Sequence, residues 1–312
     1  MNIFDSATLR QMQALSQAVS LRGPRFLNAE ATVGELAWGW GKDVDTLGPY
    51  WRCRIWETAD NVAAWGWVVL PYKLPRSDGM FRTNTQAKLI WQVHPDMPDL
   101  IDDVFGWFDQ VAETMDQVTI LQSGDSEARR RVENRGFVLD EEDGAEDGNW
   151  TQMNTRSLVD IPAPVLPDGY RFLSATDVPR FDAVKVHQAA WGAPIFTESS
   201  LARLEQTWPY RQDLHVLIQA PDGKVVATAI VWFDNQTGIA EFEPVGTHPD
   251  YRRKGLGRAL QLHGMHKAKE AGANRMLVAC LGGSAHPAAK NLYRDVGFSE
   301  ISRDIPMIRF VR

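Results

Sequence analysis

Val245-Gly246-Thr247-His248-Pro249-Asp250-Tyr251-Arg252-Arg253-Lys254-Gly255-Leu256-Gly257-Arg258-Ala259-Leu260 reads as the end of a strand, a turn and the start of a helix. Upstream, Ala240-Glu241-Phe242-Glu243-Pro244-Val245 alternates apolar and polar residues, with Pro244 marking an edge or a bulge. His248-Pro249-Asp250 turns the chain, and Leu256, Leu260 and His263/Met265 recur at helical spacing. Between strand and helix lies Arg252-x-x-Gly255-x-Gly257. Glycines allow a ligand to approach the backbone, and a helix N-terminus presents unpaired N–H groups and a dipole that favours an anion. The stretch therefore reads as a phosphate or pyrophosphate cradle. It has neither the Gly-Lys-Ser/Thr of a Walker loop nor the third glycine and later acid of a dinucleotide fingerprint.

Two further features stand at fixed places around this loop. Glu241 and Glu243 precede it, two apart on the strand, so alternation puts them on one face with Val245. Leu292-Tyr293-x-x-x-Gly297-Phe298 follows it, at the end of a helix reading from about Pro287 to Asp295. Loop, carboxylate pair and Leu-Tyr-x-x-x-Gly-Phe helix, in this order, closely resemble the GNAT superfamily of N-acetyltransferases. The resemblance covers residues 165 to 312.

That resemblance implies an acetyl-CoA site and direct attack of an amine on the thioester, with no metal. Positioning would supply most of the rate. The backbone N–H of Val245 would polarise the acetyl carbonyl, and Gly246 and Thr247 would run beside the pantetheine arm where the sheet splays apart. The backbone of Arg252, Arg253, Lys254, Gly255, Leu256, Gly257 and Arg258 would take the pyrophosphate, with Arg253, Lys254 and Arg258 adding charge outside. Either Glu241 or Glu243 would be the base and Tyr293 the acid that returns a proton to the leaving thiolate. Where the family often has asparagine, seven residues before the tyrosine, this chain has His286, which can still donate a hydrogen bond to the coenzyme.

The chain of 312 residues, 44% of them hydrophobic, has enough apolar content for two ordinary cores. No apolar run approaches the roughly 18 residues of a membrane span, and no basic-then-apolar leader opens the chain. Cys53 and Cys280, in different halves, read as reduced core residues. A cytoplasmic location is expected. The net charge of −7 argues against nucleic acid as a partner. His263 and His266 are helix neighbours without a third ligand at suitable spacing, so they read as a wet helix face.

The pattern occurs twice. In the first half come a helix from Ser6 to Leu21, a looser Trp-containing stretch from Glu30 to Trp40, and a hairpin of 51–56 with 62–70 across the turn 58–61. A strand at 87–95, a helix from Leu100 to Met115, a strand at 118–121 and a helix from Ser126 to Arg135 follow. The second half has a strand at 170–173, helices at 178–191 and 199–208, and a hairpin of 215–218 with 225–232. Beyond the opening stretch come a strand at 275–279, the helix ending in Gly297-Phe298, and a final pair of strands. Val93-His94-Pro95 answers Thr247-His248-Pro249, and Arg135-Gly136-Phe137 answers Val296-Gly297-Phe298. Pro162, Pro164 and Pro167 mark the seam. The expected class is α+β: two tandem GNAT-like acyltransferase domains, 1–158 and 159–312, each a mixed, mostly antiparallel sheet flanked by helices.

The halves differ at the loop. The first has Asp96-Met97-Pro98-Asp99-Leu100-Ile101-Asp102-Asp103, without glycine and with four carboxylates that would repel a pyrophosphate. One working site, in the second half, is expected. Nine of the twelve tryptophans lie at or before Trp150 and read as core and interface packing. The leading function is acetyl transfer to a primary amine on a small molecule or peptide, by a monomer or homodimer. Acetylation of a thiol-sugar conjugate, as in mycothiol synthases, and a non-catalytic acyl-CoA-binding module are the alternatives.

Overall fold

One sheet runs through both halves of the chain. The computed structural model describes residues 4–23, 26–59, 61–76, 79–193, 195–285 and 287–311. The first half contains α1 (Ser6–Arg22), α2 (Val33–Leu47), β1 (Trp51–Glu57), β2 (Val62–Val69), the hairpin β3 (Tyr72–Pro75) and β4 (Phe81–Asn84), and β5 (Ala87–Val93). It continues through α3 (Leu100–Val111), β6 (Gln117–Gln122), α4 (Ser126–Asn134), β7 (Val138–Leu139) and β8 (Thr151–Ser157). The second half comprises β9 (Arg171–Ser174), α5 (Arg180–Trp191), α6 (Glu198–Leu204), β10 (His215–Gln219), β11 (Val225–Asp234) and β12 (Ile239–Thr247). It ends with α7 (Leu256–Glu270), β13 (Arg275–Leu281), α8 (Pro287–Asp295) and β14 (Ser299–Arg309).

The repeat is visible in the hydrogen bonds. β5 lies antiparallel to β2 and parallel to β6, as β12 lies antiparallel to β11 and parallel to β13. At the end of β5 the His94 N–H donates to Ala63 O at 2.8 Å; at the end of β12 that of His248 donates to Val226 O at 2.9 Å. In each turn the histidine Nδ1 accepts from the backbone N–H two residues on, Asp96 at 3.3 Å and Asp250 at 3.2 Å. The parallel pairing then stops, at Leu89 with Thr119 and at Phe242 with Val278, and each strand pair opens into a wedge.

The halves exchange strands. The sheet order is β1-β2-β5-β6-β14-β8-β13-β12-β11-β10-β9. Thus β8, from the first half, lies between β13 and β14, while the end of β14 pairs with β6. Instead of the expected final pair, β14 is one strand of 11 residues, which meets β8 over 299–303 and β6 over 304–309. β8 (Thr-Gln-Met-Asn-Thr-Arg-Ser) has no apolar alternation because much of what it buries is polar. Asn154 donates to Val278 O at 3.2 Å and Gln152 to Asn154 Oδ1 at 2.6 Å, although Gln152 Oε1 is buried with no hydrogen bond among the described residues.

Between the halves lies α2, a helix where the sequence suggested only a loose stretch. Thr32 caps it, accepting from Glu35 N at 3.2 Å. Its glycines depress helix propensity but admit the second half closely. A Cβ on Gly34 would lie 2.5 Å from Glu241 Oε2, and one on Gly41 would lie 2.5 Å from Leu204 Cδ2. One side of α2 carries Ala37 and Trp38 into a core with α5, α6 and Trp232. The other carries Leu36 and Trp40 into a core with α1, Trp51, Trp65 and Trp67. No helix among the described residues is long and apolar enough to cross a membrane.

Candidate active site

At the loop, Gly255 adopts φ +77°, a conformation that favours glycine, and caps α7 without a side-chain bond. The first helical bond runs from Ala259 N to Gly255 O at 3.0 Å, so the N–H groups of Leu256, Gly257 and Arg258 have no helical acceptor. Space beyond Gly255 is open, whereas a Cβ on Gly257 would come 3.1 Å from Leu292 Cδ2. Arg253 and Arg258 are exposed, with no hydrogen bond or ion pair among the described residues. Lys254 Nζ donates to the Tyr170 hydroxyl at 3.4 Å. Arg252 turns back to the protein, donating to Thr247 O at 3.1 Å and Ala190 O at 2.9 Å, and so ties β12 to the end of α5. Donors, dipole, open space and free guanidinium groups together suit a pyrophosphate.

Pro244 does mark a bulge. Val231 faces Phe242 and Ala229 faces Val245, which leaves Glu243 and Pro244 opposite Ile230 alone. The bulge breaks the alternation that would have put Val245 on one face with the carboxylates. Val245 packs instead with Phe242 in the core under α7, and a side chain on Gly246 would collide with the Trp191 indole.

The two carboxylates have different surroundings. Glu241 is buried; its Oε1 accepts from the Thr32 hydroxyl at 2.7 Å and its Oε2 from Gly34 N at 3.0 Å. Both oxygens are therefore engaged at the N-terminus of α2. The Glu243 side chain has no hydrogen bond or ion pair among the described residues. Burial, then the charge of Glu241, raises its pKa to about 8 against the opposing pull of Lys42. Burial, then Glu35, likewise raises Glu241 to about 8, although its bonds from Thr32 and Gly34 act the other way.

Glu35, from the first half, joins this group. Burial and then Glu243 push its carboxyl well above the ordinary range, while Lys42 opposes. Neither Glu35 nor Lys42 is legible as a site residue in the sequence, because more than 200 positions separate Glu35 from Glu243. The only local sign is a carboxylate seven residues before a lysine on a helix.

Tyr293 projects from α8 and is buried, its hydroxyl without a hydrogen bond among the described residues. Burial raises its pKa, and Glu243 and then Cys280 are close enough to add to the rise. Cys280 is not fully in the core: it is half-buried near the mouth of the β12–β13 wedge and accepts from Asn154 Nδ2 at 3.6 Å. His286 lies outside the described residues. The α7 histidines read as a wet helix face are instead partly covered: His263 stacks on Phe172 with ring centroids 4.1 Å apart, and His266 Nε2 lies 3.1 Å from Pro162 O.

The first half keeps the wedge without these groups. Val132, four residues before Gly136, stands where Tyr293 precedes Gly297, and β5 pairs with β2 without a bulge. At the N-terminus of α3, Asp99 and Asp102 pair with Arg131, Asp99 at 2.6 Å. A cavity of about 310 Å³ remains between β5 and β6, lined by Trp91, Gln92, His94 and Gln122 among others.

Residues 182–298 match the model of the Acetyltransferase (GNAT) family. Solved structures share the fold over nearly the whole chain. A tandem GNAT protein from the clavulanic acid biosynthesis pathway has a TM-score of 0.64 at 16% identity, with 99% of this chain and 96% of that one covered. A GCN5-related N-acetyltransferase from Sphaerobacter thermophilus gives 0.58 at 18% identity, covering 99% and 93%. One from Kribbella flavida gives 0.52 at 16% identity, covering 88% and 96%. No curated protein matches the sequence. The second half thus carries a GNAT acetyltransferase domain, of a family that works with acyl-CoA, and the whole chain has the tandem GNAT fold.

Proposed function

We propose that the protein transfers the acetyl group of acetyl-CoA to a primary amine at a single site in the second half. The observation that carries this reading is the convergence of the Glu243 carboxyl and the Tyr293 hydroxyl, neither hydrogen-bonded among the described residues, beside the open end of the β12–β13 wedge. The N–H groups before Ala259 and the exposed Arg253 and Arg258, without an ion pair among the described residues, take the pyrophosphate. Gly246 and Thr247 run beside the pantetheine. Val245, just past the bulge, is the oxyanion donor.

Glu243 is the base, since both oxygens of Glu241 are already bonded. The incoming ammonium loses a proton toward Glu243, its nitrogen bonds to the acetyl carbon, and the carbon–sulfur bond breaks. Tyr293 gives its hydroxyl proton to the thiolate, and the second proton leaving the nitrogen restores the tyrosine hydroxyl by way of water. The first half, without cradle or tyrosine, shapes the acceptor side. The test is thiol release from acetyl-CoA across a library of primary amines. Release with at least one amine is expected; coenzyme binding with no release from any amine would replace this reading with an acyl-CoA-binding module.

A further inference from the structure

Behind Glu35 the first half is hollow. A cavity of about 330 Å³ is walled by α2, β1, β2, β5 and the β3–β4 hairpin, with Trp51, Trp67 and Tyr72 among its lining. This is the lower end of the size range of small-molecule sites. Three acids line it, Glu30, Glu35 and Asp43, and three cations, Lys42, Arg82 and Lys88. Two of the acids are already paired. Asp43 accepts from Arg82 at 2.9 and 3.0 Å and from Lys42 at 3.0 Å, and Glu30 pairs with Lys88. The Glu35 carboxyl has no hydrogen bond or ion pair among the described residues.

The cavity is therefore polarised. At its inner end Glu35 follows Gly34, which packs against the Trp232 indole whose Nε1 donates to Glu243 O at 2.6 Å. The start of α2 thus brings the Glu35 carboxyl toward that of Glu243, and an ammonium placed there faces the acidic side of the site. Two helical turns on, roughly 10 Å along α2, Lys42 has spent one of its three N–H donors on Asp43 and keeps the others. A polycation would bring its second ammonium against Lys42, Arg82 and Lys88. A molecule with an amine at one end and a carboxylate at the other matches both ends.

We infer that this cavity is the acceptor site and that the acceptor is a zwitterion, an amino acid or short peptide with one primary amine and one carboxylate. Glu35 holds the ammonium toward Glu243, and Lys42 receives the carboxylate. Both are positioning residues supplied by the first half. The inference rests on the acetyl-transfer reading above.

The experiment compares thiol release with amino acids, short peptides, the methyl esters of both, and polyamines or aminoglycosides. Zwitterions should exceed their esters in kcat/KM by about ten-fold, the scale of one charge-assisted hydrogen bond. Lys42→Met should erase that preference by raising KM for the zwitterion and not for the ester, and Lys42→Arg should restore it. Glu35→Gln should raise KM for zwitterion and ester alike while coenzyme affinity is unchanged. Either source, amino acid or peptide, supports the inference if its carboxylate is read. Equal use of esters, preference for polycations, or a preference that survives Lys42→Met overturns it while leaving acetyl transfer intact. Failure of every amine would overturn both readings.

Discussion

Glu241 in β12 accepts a 2.7 Å hydrogen bond from the hydroxyl of Thr32, the residue that caps α2, so the central strand of one half holds the helix start of the other. The two carboxylates of this strand should therefore separate on mutation. Glu241→Ala should lower stability by about 1–3 kcal/mol, because it leaves Gly34 N and the Thr32 hydroxyl buried without an acceptor. Glu243→Gln should lower kcat with no loss of melting temperature. Thermal unfolding and steady-state kinetics on the two variants check this; equal loss of stability in both would contradict the division of roles.

The pH dependence follows from Glu243. With its pKa near 8, the free base forms only toward that value, so kcat/KM should climb with pH and level off above about 8. Stability should move the opposite way. The folded protein keeps a proton on Glu243 that the unfolded chain gives up near its ordinary value of 4.5, so it binds more protons across this window and loses stability as pH rises from 4.5 to about 8. Glu241 adds a slope of the same sign. Melting temperatures between pH 5.5 and 8.5 measure it, and Glu243→Gln should flatten the slope.

Tyr293→Phe removes only a hydroxyl that has no hydrogen bond among the described residues. Turnover should fall by ~10–10⁴-fold while coenzyme affinity and melting temperature stay close to the parent. Unchanged turnover would make Tyr293 a core residue and move the acid elsewhere.

Gly255→Asp places a carboxylate in the open space before the free N–H groups of α7, at a positive φ that aspartate tolerates better than most residues. Calorimetry should show acetyl-CoA affinity reduced by at least ten-fold, roughly the loss of one charge-assisted contact. Undiminished binding would sink the cradle.

Much of this arrangement was legible in sequence because it is local. The cradle depends on residues within one turn, and the His-Pro and Gly-Phe pairs recur at matching places in the order of strands and helices. What escaped depends on the far side of a contact. The glycines of α2 argue against a helix until Glu241 and Leu204 are found against Gly34 and Gly41. β8 has no apolar period because its buried groups answer the backbone of β13 rather than an oily layer. Alternation made Glu241 and Glu243 equivalent, and only the bulge at Pro244 and the start of α2 tell them apart.

The place of β8 decides how the chain could be cut. A break near Pro162–Pro167 would leave every ladder intact, so two fragments made together should assemble into a working protein. The piece beginning at 159, made alone, would expose the edges of β13 and β14 that β8 covers, and should be captured by other copies of itself. The proline seam separates the genetic halves; the physical unit is the pair.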